Sequence, residues 1–270
     1  MQIKNLMSED LVTIDKDQNV SDALKLLDKH HISRLPVLNT NEKHQKELVG
    51  IISEKDIADK LGSSKYENMP STRIHISSVM VKDVIAVPET MDEKEVAEVI
   101  LENGIDSLPI VEDNTLVGLV TKGDFVTLAT GRAFEKIPVE EIMSKDITTI
   151  SPEERLVHGR RLMQNKKVGR LPVMEEGELV GIVTSRDMMR AFIDFKKKVP
   201  EKYQKSQIKE VYIDDVMSRN PTSVSPETSV AEVANILIDT GFKGLPVVAC
   251  GEVVGVVTQT DILRLISELD

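Results

Sequence analysis

A short polar phrase with one fixed spacing occurs four times in this sequence of 270 residues. In every copy a Ser or Thr ends an apolar run and an Asp follows three positions later: Ser53 and Asp56, Thr121 and Asp124, Thr184 and Asp187, Thr258 and Asp261. A hydroxyl and an acid at this spacing can cap the N-terminus of a helix. A carboxylate at the same place can also accept hydrogen bonds from the hydroxyl groups of a ligand, while the helix N-terminus attracts an anion.

The variation among the four copies bears on the choice between a cap and a ligand site. A capping box prefers Glu or Gln at its third position, yet all four copies carry Asp. The two intervening residues change from copy to copy, from Glu54-Lys55 in the first to Gln259-Thr260 in the last. Retention of the shorter acid indicates a geometric demand on the carboxylate, although duplication of one ancestral unit would preserve it as well.

The four phrases belong to a unit that is repeated along the chain. Each unit carries an early Met, then a Leu-Pro pair, then a Val-Gly pair before the phrase: Met7, Met80, Met143 and Met217; Pro36, Pro109, Pro172 and Pro246; Gly50, Gly118, Gly181 and Gly255. Successive Asp residues of the phrase are 68, 63 and 74 positions apart, a period that suits small paired domains better than a solenoid.

The predicted repeats are 1–65, 74–132, 137–196 and 211–270, with linkers at 64–76, 131–138 and 197–213. The middle linker is the shortest, so the halves 1–130 and 137–270 are closely coupled in sequence.

Each repeat is predicted to have the element order β-α-β-β-α, which makes an α/β (α+β) fold. A short strand opens the repeat (11–14, 84–87, 147–150 and 222–225), and an amphipathic helix follows. The Leu-Pro and Val-Gly runs are two apolar strands joined by a turn, and the second helix begins at the phrase. One repeat is small for a stable core, so paired repeats are expected. The apolar helix faces are Val20, Ala23, Leu24 and Leu27 in repeat 1 and Val230, Val233, Ala234 and Leu237 in repeat 4.

Composition argues against several classes of protein. The net charge of −11 and the 3% of aromatic residues, without Trp, disfavour nucleic acid and anionic membrane surfaces as partners. The N-terminus is charged and no apolar stretch approaches a membrane span, so a cytoplasmic location is expected.

Cys250, the single cysteine, is expected to be a small packed residue in an apolar turn. The five histidines lack metal-ligand spacing, and no nucleophile or phosphate-loop motif is present, so we expect neither a metal site nor catalytic residues.

The order Met-Ser, strand, helix, Leu-Pro-Val and Leu-Val-Gly-Ile-Val-Thr-x-x-Asp resembles the cystathionine β-synthase (CBS) domain family over almost the whole chain. The resemblance implies that two domains pack through their sheets into a Bateman module with two clefts. Such clefts commonly hold adenine nucleotides or S-adenosylmethionine, and Bateman modules tend to pair into flat discs. Four domains in one chain resemble the gamma subunit of AMP-activated protein kinase and stand-alone archaeal and bacterial sensors.

The resemblance also implies roles for individual residues. The four Asp residues of the phrase would bind ribose, and the four Ser or Thr residues would help with ribose or phosphate. Cations beside the Leu-Pro pair would face phosphates, whereas Asp106 at the equivalent place in repeat 2 would repel one. A hydroxyl six positions after the Met is common in the family, and Ala86 lacks it. The further candidates for the phosphate or the cleft are Arg34, Arg170, Lys243 and Arg186, and the hydroxyls of Thr13, Thr149 and Ser223.

The expected function is that of a non-enzymatic energy sensor for AMP, ADP or ATP that acts on an unidentified regulated protein, as a monomer or a homodimer. The alternatives are a sensor of S-adenosylmethionine and an interaction scaffold with vestigial clefts. We expect the second half, with Asp187 and Asp261, to hold the better phosphate site, and the Asp124 site to be empty or to take a less anionic ligand.

Arg160 stands where the other repeats carry Leu24, Ala97 and Ala234. It would reach a cleft or another subunit, unless a shift in helix phase leaves it in water.

Overall fold

The computed structural model of the chain describes residues 2–40, 46–61, 63, 65–66, 69–113 and 115–268. Most of the turn predicted at 39–47, with His44, lies outside the described residues, and so does part of the predicted linker 64–76. The same holds for the outermost residues of predicted repeats 1 and 4. Among the helices of the described ranges, none combines the length and the apolar character that crossing a membrane requires.

Helices form where apolar residues recur at helical spacing, and each repeat has one helix before its hairpin and one after it. The predicted apolar faces of the first helices in repeats 1 and 4 are buried, which confirms them. A helix inside the predicted linker 197–213 was not anticipated. The helices are α1 (Val20–His30), α2 (Glu54–Leu61), α3 (Glu93–Glu102), α4 (Lys122–Val126), α5 (Leu156–Lys166), α6 (Ser185–Lys198), α7 (Glu201–Gln207), α8 (Val230–Thr240) and α9 (Gln259–Glu268).

The Leu-Pro and Val-Gly runs of every repeat form one antiparallel hairpin. In each hairpin the register shifts at the Val before the Gly, which produces a bulge at that point. The strands are β1 (Ile14–Asp15), β2 (Arg34–Thr40), β3 (Lys46–Ser53), β4 (Ser107–Glu112), β5 (Thr115–Thr121), β6 (Arg170–Glu175), β7 (Glu178–Thr184), β8 (Ser218–Arg219), β9 (Gly244–Ala249) and β10 (Glu252–Thr258).

The predicted opening strands are much shorter than expected. In repeat 1 only Ile14 and Asp15 pair in parallel with β2, and the other three repeats make a single parallel bridge, as between Val87 and Ile110. The physical reason is that the chain passes from one compact unit to another within these segments, so that only their ends lie along their own hairpin.

Contacts divide the chain into two compact units. The 1/3 unit comprises Val12–Val84 and Thr148–Pro221, and the 2/4 unit comprises Met1–Leu11, Ile85–Ile147 and Thr222–Asp270. In the 1/3 unit α2 packs against α6, and in the 2/4 unit α9 packs against α3 and α4. Each unit therefore combines one repeat from each half of the sequence, so the compact units do not follow the halves 1–130 and 137–270.

The recurrent Met and the recurrent Gly form one contact. A Cβ atom at any of the four glycines would come closer than 3.0 Å to a Met sulfur. The Met always comes from the neighbouring repeat: Met80 covers Gly50, Met7 covers Gly118, Met217 covers Gly181 and Met143 covers Gly255. Neighbouring repeats thus exchange their Met segments, and this packing contact accounts for the recurrence of both the Met and the Gly.

Cys250 corrects one prediction. Its side chain is exposed rather than packed. It occupies the turn between β9 and β10 with φ 52°, and Gly251 follows with φ 88°. Two successive residues with positive φ make a tight hairpin turn at the tip of the strands, which carries the thiol into solvent.

Candidate functional site

Each of the four polar phrases lies at the junction between a hairpin and the helix that follows it. One carboxylate oxygen, Oδ2, accepts both the backbone N–H and the hydroxyl of the Ser or Thr. The N–H and hydroxyl distances are 2.8 and 2.6 Å at Asp56, 2.6 and 2.9 Å at Asp124, 2.8 and 2.6 Å at Asp187, and 2.8 and 2.7 Å at Asp261. The structure therefore confirms the interpretation of the phrase as a cap.

The hydrogen bonds of the cap determine which donors and acceptors of the Asp and the Ser or Thr are available to a ligand. Because Oδ2 accepts two hydrogen bonds, its lone pairs are used, whereas Oδ1 takes no part in the cap. Each hydroxyl gives its hydrogen to the carboxylate, so Ser53, Thr121, Thr184 and Thr258 can accept from a ligand but cannot donate while the cap is intact. A fully ionised phosphate oxygen only accepts. Contact with a ribose hydroxyl is thus compatible with the cap, and contact with such a phosphate oxygen is not.

The four carboxylates differ in exposure. Asp261 is 7% exposed, while Asp56, Asp124 and Asp187 are partly exposed. Burial raises the pKa of the Asp261 carboxyl, and the hydrogen bonds from Thr258 and the charge of Arg264 oppose that rise. Arg264 Nη1 lies 3.5 Å from Asp261 Oδ1, so a ligand at this carboxylate would meet a neighbouring cation and little open space.

The residues before the Leu-Pro pair lie at the same strand ends as the phrase. Arg34 is opposite Ser53 in the hairpin register, and Arg170 is opposite Thr184. In repeat 4 the carbonyl of Lys243 accepts the N–H of Gln259 at the start of α9. The hairpin thus brings the predicted cations Arg34, Arg170 and Lys243 next to the helix N-termini that carry the Asp residues.

The predicted hydroxyls of the opening segments stand one position before the parallel bridges. Since Ile14, Ile150 and Val224 in the bridges are buried, the preceding Thr13, Thr149 and Ser223 point to the opposite face. Thr149 belongs to the 1/3 unit with Asp187, and Ser223 belongs to the 2/4 unit with Asp261. The structure therefore divides the residues expected to form one phosphate site in the second half between two units.

Two buried charges were missed by the sequence reasoning. Glu54 and Lys122, both 7% exposed, occupy the position after the Ser or Thr in repeats 1 and 2. Glu54 Oε1 accepts from Arg186 Nε at 2.6 Å. Lys122 Nζ donates to Asp106 Oδ1 at 3.0 Å. The sequence does contain a signal, since the position after the Ser or Thr is acidic in repeat 1 and basic in repeat 2. The signal was overlooked because this position varies among the four copies.

These two ion pairs bear on the predictions made for Arg186 and Asp106, because each residue already has a partner of opposite charge. Arg186, expected to contact phosphate, uses its Nε for Glu54 of repeat 1. The prediction that Asp106 would repel a phosphate did not take Lys122 into account. Lys122 Nζ lies 3.0 Å from Asp106 Oδ1 and neutralises its charge.

A cavity of about 520 Å³ runs along α2 in the 1/3 unit. Asp56, Asp59 and Lys60 line one side of it, and Arg160 and Gln164 of α5 line another. Arg160, which is partly exposed, therefore reaches a cleft, as one of its two interpretations predicted. Among the residues that the structure describes, no group of three or more His, Cys, Asp or Glu side chains is placed to hold a metal ion.

One family model matches four successive segments of the chain. The family model described as "CBS domain" matches residues 3–63, 76–131, 139–194 and 213–268. The protein MJ1225 of Methanocaldococcus jannaschii is 26% identical over 275 residues, which cover 97% of this chain and 97% of that protein.

Solved structures and an enzyme extend the comparison. The crystal structure of MJ1225, described as a candidate archaeal homolog of g-AMPK, matches 98% of this chain and 100% of its own chain with a TM-score of 0.88 and 25% identity. A conserved protein from Pyrococcus horikoshii shares the fold, with a TM-score of 0.65 and 23% identity over 98% of this chain and 100% of its own chain. Inosine-5'-monophosphate dehydrogenase of Korarchaeum cryptofilum is 34% identical over 122 residues, which are 45% of this chain and 25% of that enzyme.

Proposed function

This chain belongs to the CBS domain family, and from that premise we propose that it is a non-enzymatic sensor of AMP, ADP or ATP. The observation that carries the proposal is the position of the four Asp carboxylates. Each is fixed at a hairpin–helix junction by Oδ2, and its Oδ1 stays outside the cap. At Asp56 and Asp187 this oxygen offers two acceptor sites for the hydroxyls of a ribose, whereas at Asp261 it lies 3.5 Å from Arg264 Nη1.

The energetics suit reversible sensing. A hydrogen bond to a charged group contributes about 1.5–3 kcal/mol, and the cap holds the carboxylate in place before the ligand arrives. The N-termini of α2 and α6 favour a nearby anion. Arg34 and Arg170 stand across the hairpin from these two junctions.

The charges rank the junctions. Repeats 1 and 3 combine a partly exposed Asp with an arginine at the strand end, which suits a ligand that carries phosphate. Repeat 4 has Lys243, but its Asp261 is nearly buried. Repeat 2 has Ser107 at the strand end and remains the weakest candidate for an anionic ligand. We therefore place phosphate-bearing ligands at Asp56 and Asp187 in the 1/3 unit.

The likeness to MJ1225 and the charges of the junctions support adenine nucleotides as ligands. MJ1225 matches nearly the full length of this chain and is described as a candidate homolog of g-AMPK. S-adenosylmethionine carries a cationic sulfonium and no phosphate, so arginines at two junctions favour it less. The likeness to inosine-5'-monophosphate dehydrogenase covers less than half of this chain, and the proposal assigns no turnover to the protein.

Thermal unfolding with AMP, ATP, adenosine and S-adenosylmethionine tests the proposal. A nucleotide at 100 times its Kd should stabilise the protein by about 2.7 kcal/mol. Asp187→Asn and Asp56→Asn should reduce the stabilisation. Asp→Asn keeps an acceptor for the cap, so the loss reports on the ligand. Absence of any shift would favour the scaffold, and conversion of bound nucleotide would show an enzyme.

A further inference from the structure

The cavity along α2 in the 1/3 unit joins two repeats. Asp56, Asp59 and Lys60 line it from the exposed side of α2 in repeat 1, and Arg160 and Gln164 line it from α5 in repeat 3. Its volume of about 520 Å³ lies within the range of small-molecule sites. Asp56, to which we assign ribose, is thus in the same cavity as a guanidinium from the other repeat of the unit.

Arg160 has hydrogen-bonding capacity that the protein leaves unused. Its Nη1 donates to the Asp59 carbonyl and to Gln164 Oε1, both at 3.2 Å. Its Nε is buried and has no hydrogen-bond partner among the residues that the structure describes. A buried donor without a partner costs about 1–3 kcal/mol. Both observed acceptors are uncharged, so no ion pair has to break before an anion binds.

The charge of the cavity favours an anion. Lys60 and Lys65 line it together with Arg160, against the carboxylates of Asp56 and Asp59. Burial lowers the pKa of Arg160 and the charge of Asp59 opposes that effect. A second cavity of the same unit is lined by Glu153, Glu175, Asp214 and Asp215 and would repel a phosphate.

We propose that Arg160 of repeat 3 binds the phosphate of the ligand whose ribose is bound by Asp56 of repeat 1. This inference rests on the proposed function and adds the residue that distinguishes a nucleotide from its nucleoside. The guanidinium would donate through its Nη groups to two phosphate oxygens, a geometry that a lysine cannot supply.

Calorimetric titration of the full-length chain with AMP and with adenosine tests this assignment. Arg160→Gln should weaken AMP binding at one site by about tenfold to a hundredfold and leave adenosine within twofold. Asp56→Asn should weaken both ligands at that site. Arg161→Gln is the matched control, because Arg161 is the next residue of α5 and is exposed, and neither affinity should change.

The outcomes separate the inference from the proposed function. Unchanged AMP affinity in a folded Arg160→Gln variant, with a loss in Asp56→Asn, overturns the role of Arg160 and leaves the sensor proposal intact. Equal losses for AMP and adenosine would show that Arg160 only supports the fold, which also overturns the inference. If neither ligand binds the unmodified protein, both proposals fail. Should Arg160→Gln not fold, Arg160→Lys is the second variant, because it keeps the positive charge without the planar guanidinium. It should weaken AMP binding by at least about threefold relative to adenosine binding. An AMP affinity that is unchanged relative to that of adenosine would refute the role of Arg160.

Discussion

The 1/3 unit and the 2/4 unit bury opposite charges at equivalent positions. In the 1/3 unit the residue after Ser53 is Glu54, which binds Arg186 at 2.6 Å. In the 2/4 unit the residue after Thr121 is Lys122, which binds Asp106 at 3.0 Å. The hairpin, the cap and the helix start are the same in both. The backbone of the repeat therefore tolerates either sign of charge, provided that a partner of the other sign is present.

The two pairs differ in what surrounds the partner. The Glu54 and Arg186 side chains are 9% and 39% exposed, whereas Asp106, the partner of Lys122, is 55% exposed. Lys122 also donates to Thr260 at 3.0 Å. Lys122 is as buried as Glu54, with 9% of its side chain exposed, but it keeps Thr260 as an acceptor when Asp106 is lost. Arg186 is the one side-chain partner of Glu54 among the residues that the structure describes, so loss of a partner should matter most in the 1/3 unit.

Arg186→Met should produce the largest loss of stability, about 3 kcal/mol in the free energy of unfolding, because it leaves Glu54 buried and unpaired. Lys122→Met removes the buried charge itself and leaves Asp106 to water, so its cost should stay below about 1 kcal/mol. Urea denaturation followed by circular dichroism measures both.

Arg190→Met is the control for this contrast. Arg190 pairs with Asp28 at 3.1 Å, but the side chains are 57% and 61% exposed, so its loss should cost less than about 1 kcal/mol. Equal losses for Arg186→Met and Lys122→Met would show that leaving Glu54 buried without its partner costs no more than removing a buried charge.

The glycines under the exchanged methionines offer a second comparison. A Cβ at Gly50 would lie 2.9 Å from the Val81 carbonyl oxygen, and one at Gly181 would lie 3.1 Å from that of Ser218. At Gly118 and Gly255 the nearest atoms all belong to a Met side chain, which can move. Gly50→Ala should therefore lower the free energy of unfolding by about 1–3 kcal/mol, and Gly118→Ala by less.

Gly131→Ala provides the baseline, since no atom lies within 4 Å of the added methyl group and φ is −78°. It should be neutral or stabilise the protein by up to about 1 kcal/mol. Calorimetric unfolding would contradict the comparison if Gly118→Ala cost as much as Gly50→Ala.

Local patterns predicted the parts of the fold that depend on neighbours in sequence. The helix face of Val20, Ala23 and Leu24 and the cap at each phrase follow from spacings of three and four residues. The exchange of Met7 onto Gly118 joins residues 111 positions apart, and no local spacing contains that information. The pairing of repeat 1 with repeat 3 has the same origin, because it depends on which helix surfaces meet.

Comparison among the repeats found one functional candidate, Arg160, and missed two buried charges, Glu54 and Lys122. Arg160 stood out because its counterparts Leu24, Ala97 and Ala234 are all apolar. Glu54 and Lys122 did not, since the equivalent residues Ser185 and Gln259 are polar and the whole position looked variable. A charge among apolar counterparts is visible in sequence, whereas a buried charge among polar counterparts becomes visible only with its burial.

The smallest expected effect concerns the acidity of the Asp261 site in the 2/4 unit. Burial raises the pKa of the folded Asp261 carboxyl above its ordinary value of 3.8, so the folded state binds the proton more tightly than the unfolded state. Stability from this group therefore increases as the pH falls through the folded pKa towards 3.8 and is lost as the pH rises through the same window.

Urea denaturation of the protein and of Asp261→Asn between pH 7 and pH 4 measures this contribution. The unmodified protein should gain stability relative to Asp261→Asn as the pH falls, because only the carboxyl can take up the proton. Asp187→Asn, at the equivalent partly exposed position of the 1/3 unit, is the reference for changes that come from altering the cap. A difference between the protein and Asp261→Asn that stays constant with pH would show that the Asp261 carboxylate is as well solvated in the folded chain as in the unfolded one.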